Sequence, residues 1–424
     1  MDDNSGMSNA SLIDTGGYPK DNRSRMSTVP RVLILAQTPP PTHGQSVMVG
    51  HLVAAALKRR PDYFVHVNLR LSKNEQDVGK MRPAKLIQLA WCAVRALAAC
   101  TLRGAKDVYY VPAPGKRGPI IRDVLLLSLL KPFTRRLLLH WHSVGLGEYL
   151  QRHPEDRWGQ HLLKLLQGHA LSLCLSESAA EDVRIFHPRK ISIVPNGIPD
   201  PCPDFPSVLA ARKDRLALRQ RALTDPSTPP APVHLLYLGL CTRSKGIFEA
   251  LSTATALALS LNQAHPACPV ILTVAGPFPG ENEKIEFSAA ISSALLSLPA
   301  PIRALLTIHQ PGFTGPEDKR KLLEAADLFV FPTRYENEGL PLTLLESMAF
   351  GLPILTTPWR AIPEALPANY PYLADYRDVE NMTQLAREAL LSESFPKLRE
   401  WFLQRFTLPA HLEAIFQQLE AGNP

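Results

Sequence analysis

The sequence predicts an α/β protein made of two doubly wound, Rossmann-like domains that face a central cleft. At 424 residues, the chain is longer than a single hydrophobic core usually serves. Short apolar runs alternate with helix-like stretches along most of its length. The alternation stops at a proline-rich segment near the middle and then begins again. We therefore expect two successive domains of one class.

The first half begins with the strand RVLILAQ (31–37), the loop TPPPTHGQS and the helix VMVGHLVAAALKRR. A helix is predicted at 120–130, and further strands are predicted at 107–113, 136–142, 171–176 and 191–197. Each of these strands is apolar throughout, which is typical of a parallel sheet covered on both faces.

The second half repeats the pattern after a proline-rich linker at 200–232, which contains a short charged helical segment. Helices are predicted at 246–259 and 316–326, and strands at 233–240, 269–276, 304–310, 326–333 and 353–358. The expected divisions are a disordered leader at 1–29, an N-terminal domain at 30–199, a C-terminal domain at 233–395, and C-terminal helices at 396–424 that pack back on the first domain.

Composition and charge limit the classes of partner that the protein is expected to have. Residues 1–200 hold 27 Lys and Arg against 16 Asp and Glu, so the first half is basic and the rest is mildly acidic. A basic half suggests an anionic partner or simply a solvated surface. Nucleic acid is not expected, because no basic stretch is interleaved with stacking aromatic residues. Neither a secretion signal nor a membrane span is expected, and the six cysteines form no Cys-x-x-Cys pair.

The stretch RYENEGLPLTLLESMAFGLPIL (334–355) places Glu338 before a short predicted helix at 341–350 and Glu346 inside it. The free N–H groups at the start of such a helix suit phosphate. A carboxylate only accepts hydrogen bonds, and its two oxygens suit vicinal hydroxyls. The spacing therefore favours two carboxylates that hold the polyol groups on either side of a phosphate.

EGLPLTLLESMAFGLPIL resembles the Glu-x7-Glu motif of the retaining glycosyltransferases of family 4, which have the GT-B fold. PPPTHGQS, VPNGI, LGLCTRSKG and AADLFVFPT resemble other segments of that family. The resemblance implies that the second domain binds a nucleotide-diphospho-sugar donor and the first binds the acceptor. It also implies that the leaving phosphate takes the acceptor proton on the same face of the sugar.

The resemblance also implies roles for individual residues. Glu338 would hold sugar hydroxyls near the reacting carbon, and Glu346 would hold the ribose. Gly339 and Leu340 would offer backbone N–H groups to sugar and phosphate, and Lys245 would contact the diphosphate. The family's companion arginine falls at Leu240 here, so Arg243 is its expected substitute. Further donor contacts are expected from Gly44 and Gln45, with Ser46 as a helix N-cap, and from a histidine at the end of RLLLHWH.

His142 is preferred to His140 for that role because it lies nearer the carboxyl end of the strand. Arg360 is expected to reach the cleft. No Asp-x-Asp occurs in the chain, so neither a metal nor another cofactor is expected.

The segment 80–106 is apolar with basic ends. It is either a crossover helix buried on the sheet or a membrane-surface helix meeting anionic lipid. The latter would suit a lipid-linked acceptor at the inner face of the membrane. A nucleotide-sugar epimerase of the same fold and a non-catalytic partner subunit that binds nucleotide sugar are the alternatives to a transferase.

Overall fold

The structure is a computed structural model, and it describes residues 32–71, 83–225, 227–264, 268–392 and 395–421. The leader expected at 1–29 lies outside the described residues. Two parallel sheets form the core, one of six strands and one of five, as the sequence predicted. Among the described residues no helix is both long and apolar enough to cross a membrane.

The first sheet has the strand order β2-β1-β3-β4-β5-β6, and every pairing in it is parallel. Its strands are β1 (Val32–Ala36), β2 (Phe64–Asn68), β3 (Asp107–Tyr110), β4 (Arg136–Trp141), β5 (Leu171–Cys174) and β6 (Ile191–Ile193). β2 lies at the sheet edge. Its sequence FVHVN alternates apolar and polar residues instead of being apolar throughout, and it was not predicted.

Helices cover both faces of the first sheet. They are α1 (Gly44–Arg59), α2 (Pro83–Thr101), α3 (Arg117–Leu130), α4 (Leu146–Arg152), α5 (Arg157–Leu166) and α6 (Glu177–Val183). α2 is a crossover helix between β2 and β3, and its inner side packs into a core shared with α3. α1 packs on the opposite face.

The second sheet has the order β11-β10-β7-β8-β9, again wholly parallel. Its strands are β7 (Val233–Leu238), β8 (Val270–Ala275), β9 (Leu306–Gly312), β10 (Leu328–Phe331) and β11 (Ile354–Thr356). From β7 the chain builds outward to β9, then returns to place β10 on the other side of β7. The carboxyl ends of β7 and β10 therefore flank a topological switch point, where ligands of such sheets bind.

The helices of the second half are α7 (Phe205–Thr224), α8 (Ile247–Ala264), α9 (Glu281–Ser297), α10 (Ala300–Arg303), α11 (Pro316–Ala325), α12 (Leu342–Ala349), α13 (Ile362–Ala365), α14 (Val379–Leu390), α15 (Phe395–Arg405) and α16 (Leu408–Glu420). The segment predicted as a linker is mostly α7, a helix of 20 residues instead of a short one. Arg212 on α7 is buried and donates to the carbonyls of Ala326 and Leu323, so α7 is fixed to the second domain.

The last helix returns to the first domain. Leu412, Ile415, Phe416 and Leu419 of α16 are buried in the core that α1 also lines. Arg136 of β4 donates to the carbonyl of Ala421 at 2.7 Å, which fixes the end of the helix. α16 therefore connects the two halves on the side of the sheet opposite α2.

Candidate functional site

Glu338 and Lys245 meet at the switch point of the second sheet. Lys245 ends a short 3-10 turn, Arg243–Lys245, that follows β7, and Glu338 lies in the loop that follows β10. The Lys245 ammonium lies 2.7 Å from Oε1 and 2.6 Å from Oε2 of Glu338. The hydroxyl of Thr333 donates to Oε2 at 3.0 Å. The two ends of neighbouring strands thus bring together two residues that are 93 positions apart in the chain.

Gly246 allows the Lys245 turn to pack closely against the end of β10. Its φ is +88°, in the region that favours glycine. A Cβ at this position would lie 2.4 Å from the carbonyl oxygen of Pro332. A larger residue would therefore push the turn away from Glu338.

Glu346 lies in the second turn of α12, set back from the helix start as the sequence predicted. Lys319 of α11 contacts its Oε1, while Oε2 is buried and has no hydrogen-bond partner among the described residues. Burial raises the pKa of the Glu346 carboxyl, and the Lys319 ammonium partly opposes that rise. The unpartnered oxygen is an acceptor available for a ligand hydroxyl. Sequence reasoning missed Lys319, because nothing local links α11 to α12.

The first turns of α12 and α1 face each other across the cleft. A Cβ on Gly44, the first residue of α1, would lie 3.6 Å from Cγ of Leu342, the first residue of α12. Among the described residues, no acceptor takes the backbone N–H groups of Gly339, Leu340 or Leu342. Such N–H groups at a helix start attract anions. Gly44 and Gln45, predicted as loop residues, belong to the first turn of α1.

The predicted N-cap of α1 was wrong. His43 is the N-cap, its backbone N–H donates to the Ser46 hydroxyl at 3.0 Å, and its Nδ1 accepts from the Ser46 N–H at 3.3 Å. Ser46 is therefore the third residue of the helix, in a reciprocal capping arrangement. The signal was missed because histidine is not among the usual N-cap residues.

His142 is the first residue beyond β4 and lies at the cleft, whereas His140 lies inside the domain. Nδ1 of His140 is 2.6 Å from the Tyr109 hydroxyl. The rings of His140 and His142 are 4.1 Å apart, and the Nε2 atom of each is buried with no partner among the described residues. Burial, with the imidazoles of His411 and His43 nearby, lowers the pKa of His142 to about 3. At neutral pH His142 is therefore uncharged and can share a hydrogen bond without adding a cation.

The Glu338 loop packs directly on the first domain. Asn196, in the VPNGI segment, donates to the carbonyl of Leu340 at 2.9 Å, and Asn337 donates to that of Val144 at 2.9 Å. A Cβ on Gly339 would lie 2.2 Å from the carbonyl oxygen of His142. The end of β4 thus sets the position of the residue that follows Glu338.

The two arginines expected near the cleft lie in different settings. Arg243 stacks on Phe248 at 3.9 Å from the ring centroid and pairs with the exposed Glu286 at 3.5 Å. Its contacts are thus on the α8–α9 side of the turn. Arg360, after β11, reaches across to Glu148 of α4 with distances of 2.5 and 2.9 Å. Arg360 therefore reaches the cleft, as expected, and contacts the other domain.

The site has a carboxylate acceptor paired with a lysine at each of two positions. Glu338 with Lys245 lies at the switch point, and Glu346 with Lys319 lies farther along α12. Between them are N–H groups suited to an anion. Among the described residues no group of three or more His, Cys, Asp or Glu side chains is placed to hold a metal ion. The residues present thus suit a ligand with hydroxyls on both sides of a phosphate.

The second domain is similar to a known protein family. Residues 233–392 match the family described as "Glycosyl transferases group 1". A segment of 65 residues is 37% identical to WcaL of Salmonella typhimurium, described as a proposed colanic acid biosynthesis glycosyltransferase. That segment covers 14% of this chain and only 16% of WcaL. A similar match to the Escherichia coli K12 protein has 33% identity over 66 residues.

Solved structures share the whole fold. WaaG, a glycosyltransferase involved in lipopolysaccharide biosynthesis, is 16% identical with a TM-score of 0.53, covering 92% of this chain and 100% of that one. The trehalose 6-phosphate synthase of Burkholderia multivorans is 11% identical with a TM-score of 0.63, covering 92% and 98%. A glycosyltransferase of Rickettsia africae is 12% identical with a TM-score of 0.58, covering 93% and 99%. The two-domain GT-B fold is confirmed.

Proposed function

We propose that this protein is a retaining glycosyltransferase of family 4. It moves a sugar from a nucleotide-diphospho-sugar to a hydroxyl of a saccharide or lipid-linked saccharide, in the synthesis of a surface polysaccharide or glycolipid. The observation that carries the proposal is a pair of carboxylate–lysine contacts, one in the loop before α12 and one within α12. Glu338 is held by Lys245 at the switch point, and Glu346, with one unpartnered oxygen, is held by Lys319 further along α12. The match of residues 233–392 supports it.

In this proposal, each side chain meets a different part of the donor. Glu338 accepts hydrogen bonds from the sugar hydroxyls, and Glu346 accepts them from the ribose. The Lys245 side chain moves from Glu338 to contact the diphosphate. The Arg243 side chain moves from Glu286 and provides a second cation. The N–H groups of Gly339 and Leu340, and those of Gly44 and Gln45 across the cleft, hydrogen-bond to sugar and phosphate. No metal or other cofactor enters.

The reaction needs no covalent nucleophile from the protein. The bond between the anomeric carbon and the diphosphate oxygen breaks, and a bond to the acceptor oxygen forms on the same face. The acceptor proton passes to the departing phosphate oxygen. Lys245 and the helix N–H groups stabilise the negative charge that develops there. Neutral His142, beside Gly339, donates to or accepts from the sugar near the reacting carbon.

The proposal includes a location. The acceptor domain is the basic first half of the chain, and we place it on the cytoplasmic side of a membrane, in peripheral contact with anionic lipid. The excess of 17 Lys and Arg over 6 Asp and Glu in residues 51–150 supports this placement.

A thermal-shift screen against nucleoside diphosphates and nucleotide sugars tests the donor, because only a bound ligand stabilises the fold. We expect one nucleotide sugar to raise Tm by a few degrees, which is about the effect of a ligand present at a concentration of about 100 times its Kd. Glu346→Gln should reduce that shift. Glu317→Gln, which removes an exposed carboxylate on α11, is the matched control and should leave it unchanged.

Transfer is then measured with the stabilising donor and a panel of saccharide acceptors. The wild-type product should keep the donor's anomeric configuration. Glu338→Gln and Lys245→Ala should each abolish transfer. Full activity in both variants would exclude the assignment. Conversion of the donor without any acceptor would indicate an epimerase, and binding without turnover a non-catalytic subunit.

A further inference from the structure

α2 is apolar on two sides, and only one of them is buried. Leu89, Cys92, Ala96 and Cys100 line the inner side, in the core shared with α3. The outer side carries Leu86, Ile87, Trp91 and Val94, which are 59%, 71%, 62% and 56% exposed. Ile87, Trp91 and Val94 are spaced by four and three residues, so they form one stripe. Isolated exposed apolar residues are ordinary, but a stripe that includes a tryptophan marks a binding surface.

Exposed apolar side chains also occur on the elements that pack beside α2. α2 packs against α3 and the turn Lys131–Phe133. Leu125 and Leu129 of α3 and Phe133 of the turn are also exposed. We call this combined face of α2, α3 and the turn the outer apolar face.

On the described parts of α2, α3 and the turn, the exposed charged side chains are all basic. α2 carries Lys85 and Arg95 and no acidic residue. The acidic residue in the span 117–133 is Asp123, which is buried and receives hydrogen bonds from Tyr110 at 2.6 Å and Arg122 at 2.7 Å. Among the described residues of these three elements, the exposed charged side chains are therefore the cations Arg95, Arg117 and Lys131, and Arg95 lies beside the stripe on α2. A second copy of this face would meet like charges, whereas an anionic lipid surface complements both its charge and its apolar side chains.

The stripe on α2 lies toward the cleft. α2 follows β2 in a parallel sheet, so it starts at the carboxyl-end edge of the sheet, the same edge as His142. Leu86 to Val94 occupy the first two-thirds of the helix. A surface in contact with this stripe would thus lie beside the opening through which an acceptor reaches the site.

We propose that the outer apolar face binds the surface of an anionic membrane, with Leu86, Ile87 and Trp91 inserted among the lipids and Arg95 at the headgroups. The inference deepens the membrane contact proposed above and rests on the proposed function only for the link to a lipid-linked acceptor. In this proposal, α2 is a crossover helix on its inner side and a membrane-surface helix on its outer side.

Vesicle co-sedimentation of the full chain, without donor or acceptor, tests the face separately from catalysis. We expect binding to vesicles of phosphatidylglycerol mixed with phosphatidylcholine and weak binding to phosphatidylcholine alone. Leu86→Gln with Ile87→Gln should lower the affinity by about tenfold or more. Leu296→Gln with Ile285→Gln, the same residue types at 70% and 60% exposure on α9, is the matched control and should not lower it.

Two further variants separate the electrostatic part of the membrane contact from the insertion of Trp91. Arg95→Glu should weaken binding by about fivefold or more, and added salt should reduce this difference. Quenching of tryptophan fluorescence by brominated lipid should disappear in Trp91→Phe. Absence of wild-type binding, or an equal loss in the α9 control, would overturn the proposal. So would a wild-type dimer that fails to bind vesicles and becomes a monomer in the α2 double variant, because the occupant would then be a second copy.

Discussion

Lys245 and Glu338 form a two-pronged ion pair between the loops that follow β7 and β10. The ammonium nitrogen lies 2.7 and 2.6 Å from the two carboxylate oxygens, and the two side chains are 16% and 6% exposed. Each group neutralises the other in a site largely shielded from water. Removal of one partner leaves a charge with little solvent to stabilise it.

We predict that Lys245→Met lowers the free energy of unfolding by about 3 kcal/mol, the scale of a broken buried pair. Glu338→Gln in the same chain should restore most of that loss, because the double variant has no unpaired charge. Urea denaturation of the wild type, both single variants and the double variant gives the coupling energy. Simple additivity of the two single effects would show that the pair is not coupled in solution.

Gly339 should tolerate no side chain, because a Cβ there would lie 2.2 Å from the carbonyl oxygen of His142. Gly339→Ala should leave both sheets folded but move the Glu338 loop away from β4, and we expect kcat/KM for transfer to fall on the order of a hundredfold. Gly118→Ala in α3 is the control, since open space surrounds that position. It should raise stability by about 0.5–1 kcal/mol without affecting transfer. Equal activity of the two variants would contradict the close approach.

Local sequence was enough to predict the elements that position the main site. Apolar runs located β7 and β10, and a helix was predicted at 341–350, so the carboxyl-end rule placed the loops of Lys245 and Glu338 at one edge of the second sheet. The ion pair between the two side chains was not predicted. Other elements carried weaker signals. α9 has the sequence ENEKIEFSAAISSALLS, whose only buried residue is Phe287, and it was not predicted.

Partners that depend on how elements pack could not be predicted. Lys319 contacts Glu346 because α11 lies beside α12, and Asn196 contacts Leu340 because the two domains close on each other. Neither relationship leaves a pattern in the local sequence. The segment that became α2 has apolar residues on its outer side as well as its inner side, so periodicity could not show which side faces the sheet.

Lys319 should control the pH dependence of stability. Burial raises the pKa of Glu346 above its ordinary value of 4.5, so the folded protein holds this proton more tightly than the unfolded chain does. This group's contribution to the free energy of unfolding therefore decreases as pH rises from about 4.5 through the raised pKa. In Lys319→Met the opposing cation is gone, so the decrease should be larger and extend to higher pH.

Urea midpoints measured from pH 4 to about pH 8 would show the difference between the wild type and Lys319→Met. Glu346→Gln added to the Lys319→Met chain is the control, and it should remove the additional slope. Parallel curves for the wild type and Lys319→Met would mean that the lysine does not stabilise the ionised carboxylate.

Arg360 should hold the two domains in the closed arrangement. It makes two hydrogen bonds to Glu148 across the cleft, and its backbone has φ +51°, a conformation uncommon for a residue other than glycine. Nearby, Glu364 accepts from the backbone N–H groups of Glu177 at 2.6 Å and Ser178 at 2.8 Å. Because the arginine pair is partly exposed, Arg360→Met should change overall stability by less than about 1 kcal/mol. A change of that size can still alter the ratio of open to closed molecules severalfold.

We therefore expect Arg360→Met to increase the radius of gyration measured by X-ray scattering in solution, with little change in the urea midpoint. The donor bridges the two domains in the proposed function, so a saturating donor should reduce the increase. Arg377→Met removes an exposed arginine that pairs with Asp375 within the second domain, and it should change neither quantity. An equal increase in both variants, or none in Arg360→Met, would show that the Arg360–Glu148 pair does not hold the domains together. Closure would then depend on other contacts, among them those of Asn196, Asn337 and Glu364.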